Sequence, residues 1–225
     1  MHIEPGLVDG AKIALSYATA AAAGAVALKC AADAVRERGV LSLALRSVLA
    51  TVGVFVFFEI LPKFPVGIAE VHFILGSTLF LLLGAGPSAI GLALGLLLQG
   101  IFFAPTDLPQ YAMNVTTLLV PMFALQALAK KIIAPDTAYV DLQYSQALKL
   151  STAFQAGVVA WVAFWAIYGA GLGAENLSQI ARFGAAYMMV ILIEPLADLA
   201  VLAAAKALSG LRGSDVVERR LFEVG

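Results

Sequence analysis

Cysteine is almost absent from this sequence, with one in 225 residues, and histidine is nearly as scarce, with two. A lone Cys30 inside a hydrophobic stretch excludes both a disulfide framework and a thiolate metal cluster. Charge is also sparse, at 13% of residues, and the net value of −1 carries no electrostatic signature of a nucleic-acid partner. No GxxxxGK[ST] stretch is present, so nothing predicts a phosphate-binding loop. No HExxH, paired-Asp or Ser/His/Asp pattern points to an intramembrane enzyme. A basic leader followed by a small-residue cleavage site is missing as well, since the first apolar segment runs into charged VRERG. A cleaved signal peptide is therefore not expected.

Apolar residues fill the space that charge leaves. They make up 61% of the chain, and the mean hydropathy is +0.93. Runs of about 20 such residues span a hydrocarbon core of roughly 30 Å as helix. The expectation is an all-α, polytopic membrane bundle over residues 1–225 as a single domain. Seven spans are predicted, at about 11–34, 41–60, 71–84, 88–104, 111–129, 147–170 and 180–207. The third and fourth are short enough to be tilted or partly re-entrant. Pro-rich LPKFPVGIAE and APTDLPQ read as loops, and 208–225 reads as a polar tail. Of the 14 Lys and Arg residues, all but Lys12, Lys63 and Arg182 fall toward one side of this arrangement. The positive-inside rule then puts the N-terminus outside and the tail in the cytoplasm of a plasma (inner) membrane protein.

That topology brings the two histidines to the same side. His2 follows the initiator methionine, and its bulk disfavours removal of Met1. The Met1 α-amine, the His2 amide and the His2 imidazole form a tridentate nitrogen donor once the amide is deprotonated by a metal. His72, at the head of the third span, offers a fourth nitrogen. A square of nitrogens suits Ni(II) or Cu(II), and a low-spin Co(II) centre accepts it, whereas zinc prefers a tetrahedron. The expected donor set contains no carboxylate and no thiolate, and it fills its own plane, which reads as capture and not catalysis. The competing reading is that His2 is a solvated tail residue.

The opening MHI, the single later histidine entering a hydrophobic segment, and the polar residues Gln99 (LLLQGIFF) and Asn114 (YAMNVTTL) resemble the CbiM/NikM family. These are the substrate-binding membrane components of energy-coupling factor (ECF) ABC transporters for cobalt and nickel. The resemblance extends over nearly the whole chain. It implies an N-terminal segment, residues 1–10, threaded into the helical core, with metal on Met1, His2 and His72. It implies that Gln99 and Asn114 order the N-terminal loop, where the residues alone allow plain interhelical hydrogen bonding. Co(II) or Ni(II) would be the transported substrate, with no resident cofactor. The implied partners are a transmembrane coupling (T) subunit, two P-loop ATPase subunits and an optional small accessory membrane subunit. The chain departs from the family's usual MHIMEG and MHIPDG openings by reading MHIEPG, and GIAEVHF replaces a glycine-rich surround of the internal histidine.

Two further features invite function. Ala18 and Ala22 lie on a small-residue face of the first span, which serves either bundle packing or docking of the coupling subunit. Glu194 and Asp198 lie four apart in the seventh span. They would serve a proton-coupled secondary carrier, or they are structural, with Asp198 paired to Arg46 and Glu194 capping backbone freed by Pro195.

Overall fold

Gly39 decides how the chain begins to fold. In this computed structural model, which describes residues 2–224, helix α1 runs Ala14–Glu59 with one break, at Gly39 (φ 84°, ψ 170°). Positive φ is open to glycine without the Cβ clash that other residues meet. A straight helix would hold Cys30 and Ala50 about 30 Å apart. Yet Gly86 and Gly91 of helix α3 (Ala85–Phe102) sit against the backbone at Cys30 and Ala50 respectively. The helix therefore folds back at Gly39, and the expected first and second spans are the two arms of one hairpin. Glycine at positions 86, 91 and 95 is what allows the close approach, because a Cβ at any of them would collide with α1.

After α1 the chain leaves helix. Strands β1 (Phe64–Val66) and β2 (Ala69–Val71) pair antiparallel, Phe64 opposite Val71, around a turn at Gly67 (φ 61°). This corrects the expectation of a plain Pro-rich loop. The N-terminal segment adds to the free edge of β2. Ile3 lies opposite Ala69, Glu4 N donates to Ile68 O at 3.0 Å, and Glu70 N donates to His2 O at 3.1 Å.

Residues 72–75 stay non-helical and end at Leu75 in the left-handed region (φ 54°). Helix α2 then covers only Gly76–Leu83, about 12 Å of rise. The expected 71–84 helix is thus non-helical over its first five positions, 71–75. Such backbone is tolerated at depth because protein surrounds it: His72 and Ile74 are buried, and Gly76 is pressed against the Phe154 ring.

Helices α4 (Tyr111–Ile132), α5 (Tyr144–Ala170), α6 (Ala174–Met188) and α7 (Glu194–Ala207) complete the bundle. A 3₁₀ turn at Met189–Leu192 separates α6 from α7, where one continuous span was expected; Pro195 fits the first turn of α7. Five helical stretches are long and apolar enough to cross a membrane: Gly10–Glu59, Ala85–Phe102, Pro105–Ile132, Tyr144–Ala170 and Ala174–Ala207. The protein is an integral, multi-pass membrane protein.

Contacts between distant segments define two ends of this bundle. One end gathers the N-terminal segment, the hairpin, the 105–110 turn and the end of α5, where Lys12 donates to Gly169 O at 2.8 Å. The other end gathers Gly39, the α2–α3 elbow and the C-terminal segment. There Arg38 donates to Gly213 O, Ser42 to Asp215 O, and Arg220 to Ala134 O at 2.7 Å. The C-terminal segment is not a loose tail, since Val217 and Leu221 are buried.

The buried ionisable groups pair differently from expectation. Arg46 is bonded to Glu218 at 2.6 Å and to Leu83 O at 3.0 Å, not to Asp198. Asp198 accepts from the hydroxyls of Ser77 (2.8 Å) and Thr78. Glu194 accepts from Ser151 Oγ and Gln155 Nε2, each at 2.5 Å, and caps no backbone. These bonds tie α7 to α2 and α5. The difference is one of placement: the C-terminal segment lies under the α2–α3 elbow and brings Glu218 to Arg46, while Asp198 is held by Ser77 and Thr78.

Candidate metal centre

A buried isoleucine anchors the site. Ile3 is fully buried, its N donates to Asn114 Oδ1 at 3.0 Å, and the Gln110 amide grips the same turn. With its nitrogen toward the chain, that amide donates to Ile3 O (2.9 Å) and accepts from Gly6 N (3.3 Å). Strand pairing on one side and α4 on the other leave His2 almost wholly buried. It is 5% exposed, and His72 is 1% exposed.

The two imidazoles meet with ring centroids 5.4 Å apart, and Phe58 packs on both, 4.8 Å from His72 and 5.9 Å from His2. Glu70 Oε2 lies 2.9 Å from His72 Nε2. Asp107 Oδ2 lies 2.9 Å from His2 Nδ1, close but not aligned as a hydrogen bond. Both ring nitrogens of His2 and Nδ1 of His72 are buried without a hydrogen-bond partner among the described residues. Burial pushes the His2 imidazole down to about 2 and that of His72 far below its ordinary value, so both rings are neutral at physiological pH. A neutral imidazole with an unshared lone pair is the form that binds a metal. One nitrogen from each histidine and a Glu70 oxygen lie within 4.8 Å of one another, a spacing that could hold one ion.

Most of the residues singled out in the sequence fall here. His2 and His72 come together, Asn114 holds the N-terminal segment, and Gln99 lines a narrow cavity beside His2 with Asp107 and Tyr111. The Gln99 side-chain amide is fully buried, with no partner on either atom among the described residues. Met1 lies outside the described residues. Ala18 and Ala22 sit on the outward, exposed side of α1, so they do not pack the bundle. Glu194 and Asp198 belong to the separate α2–α5–α7 network described above.

Two carboxylates that the sequence reading did not place here stand beside the imidazoles, Glu70 against His72 and Asp107 against His2, each at 2.9 Å. Sequence reasoning missed them because each sat in a stretch read as a loop. A signal for Glu70 was present, since residues i and i+2 of an extended chain share a face and Glu70 precedes His72 by two. Nothing local marked Asp107 or Gln110.

The structure is thus that of a polytopic helical membrane bundle with a buried pair of neutral imidazoles under a threaded N-terminal segment, an arrangement that could hold a metal ion at one end. Comparison with known families narrows this. The family described as the cobalt uptake substrate-specific transmembrane region, CbiM, matches residues 2–209, and the chain belongs to it. That is a family of transport components, not of enzymes, and the matched region includes both histidines and all seven helices. No curated protein and no solved structure matches the chain.

Proposed function

We propose that this protein is the substrate-binding subunit of an ECF-type importer for cobalt or nickel. In this reading it holds the ion with the Met1 α-amine, the His2 amide and imidazole, and His72. The observation that carries it is the convergence of His2 and His72, 70 positions apart in sequence, into one buried contact with unpartnered nitrogens. Membership in a cobalt uptake family supports the same reading.

The N-terminus lies outside and the C-terminus in the cytoplasm, in keeping with the basic residues and with termini at opposite ends of the bundle. A reporter at the C-terminus that is active only in the periplasm would overturn this orientation. Transport energy comes from partners, a T subunit and two P-loop ATPases, with a small accessory membrane subunit as a further candidate. The outward small-residue face at Ala18 and Ala22 is the docking surface for the T subunit.

The test is metal binding and assembly measured together. His72→Ala, in a folded chain, loses high-affinity Co(II) and Ni(II) binding while still co-purifying with its partners. Ala18→Leu with Ala22→Leu does the reverse. Retained metal affinity in His72→Ala would remove the site, and unchanged complex yield in the double variant would move the docking surface elsewhere.

A further inference from the structure

We infer that Glu70 is itself a ligand of the transported ion, and that its carboxylate tilts the site toward cobalt over nickel. This rests on the reading of His2 and His72 as ligands.

Glu70 is the residue that ties the two histidines together. Its backbone N donates to His2 O at 3.1 Å, and its carboxylate reaches His72 Nε2 at 2.9 Å. Bonds of about 2.0–2.2 Å from a first-row divalent ion put two adjacent ligand atoms roughly 3 Å apart. The Glu70 oxygen and His72 Nε2 already stand at that separation, and one ligand atom from each of His2, Glu70 and His72 lies within 4.8 Å of the other two. The side chain is anchored rather than free: β2 fixes its backbone against both β1 and the N-terminal segment. It is also 25% exposed, where the imidazoles are buried, so it stands at the mouth of the site and meets an entering ion first.

The donor chemistry then sets the preference. Nickel(II) is well served by a square of nitrogens and gains little from an added oxygen. Cobalt(II) accommodates a further, harder donor above such a square. An oxygen from Glu70 thus stabilises bound Co(II) more than bound Ni(II), and the same charge offsets part of the ion's positive charge in a buried site.

The experiment uses the purified full chain with its N-terminus free, loaded with cobalt chloride or nickel chloride. Wild type, Glu70→Gln and His72→Ala are compared by metal titration, by X-ray absorption at the metal edge and by Co(II) electron paramagnetic resonance. Glu70→Gln keeps the size and the backbone pairing of Glu70. The expected result is a loss of Co(II) affinity of at least about 10-fold with a Ni(II) change under about threefold. The cobalt shell loses one light donor, and the resonance signal changes. Retained nickel binding shows in the same sample that the site is folded. Equal losses for both metals with an unchanged cobalt shell would make Glu70 a positioning residue for His72 and overturn the inference. So would unchanged affinities. In both cases His72→Ala, by losing both metals, leaves the histidine site standing. If His72→Ala binds both metals as wild type does, the histidine reading and this inference fall together.

Discussion

Both termini of this protein fold back onto the bundle, and the two ends they build are opposites. At one end, the N-terminal segment is pinned by backbone pairing to β2 and by Asn114, and it delivers an imidazole whose nitrogens have no aligned partner among the described residues. At the other, the C-terminal segment delivers Glu218, which clasps Arg46 at 2.6 Å while its backbone N donates to Leu82 O. Buried polar groups are normally hydrogen-bonded, so unpaired ones concentrate where function requires them. The imidazole nitrogens at the N-terminal end, with a Glu70 oxygen beside them, could hold a cation, whereas the Arg46–Glu218 pair at the C-terminal end is a fastening even though Arg46 Nε and Nη2 also lack a partner among the described residues. The family match, residues 2–209, takes in His2, His72 and Arg46 but not Glu218.

Breaking the clasp gives the largest expected effect on stability. Arg46 is fully buried, and Arg46→Ala leaves Glu218 and Leu83 O without their cation, at a cost of about 3–5 kcal/mol. A thermal melt in detergent reads this as a marked fall in midpoint, while Co(II) affinity in the surviving folded fraction stays within about twofold. A metal site that fails in step with the clasp would erase the distinction between the two ends.

A smaller effect sharpens the comparison from the other side. Asn114→Ala removes the acceptor for Ile3 N, costing about 1–3 kcal/mol at a buried donor. Its main reading is in metal affinity, which falls because the N-terminal segment loses the bond that seats His2. If titration finds affinity unchanged, strand pairing alone positions His2 and Asn114 is an ordinary interhelical group.

The smallest expected effect is a pH slope in the metal-free chain. Burial depresses both imidazoles, so the unfolded chain binds protons that the folded one does not. The sign follows: stability is full above about 6.5 and falls as pH drops below it, by up to about 1.4 kcal/mol per pH unit per histidine. Melts of wild type and His72→Ala between about pH 7 and 5 check it. Equal slopes in the two would mean that His72 is not held neutral by the fold.

Much of this was legible in the chain itself. Apolar runs separated by turns marked most of the helical stretches, though not the break between α6 and α7, and the pair of histidines with the charge asymmetry anticipated their meeting. Asn114 was found through resemblance, and its bond to Ile3 gives it a physical reason. The unreadable parts share one cause, dependence on distant partners. Three-residue strands carry too little periodicity to announce themselves, and the β1–β2 hairpin is held partly by an N-terminal segment 60 residues away. Glu70 and Asp107 acquire their role only once that hairpin and the 105–110 turn close over His2. Arg46 had a carboxylate partner in the expected place on α7, yet Glu218, 172 positions away, takes it. Pairing of buried charges depends on which segment arrives, and composition does not encode arrival.

One change isolates the proposed chelate, in which the Met1 amine completes the set of nitrogens. A short uncleaved peptide placed before Met1 keeps every side chain and converts the amine into an amide. Extended and unextended chains are loaded with Co(II), washed and measured for metal per protein by mass spectrometry, with thermal melts as the control for folding. The account predicts stoichiometric metal in the unextended chain and near-background metal in the extended one, at equal thermal stability. Equal metal content in both would contradict it, and His2 would then bind through its imidazole alone.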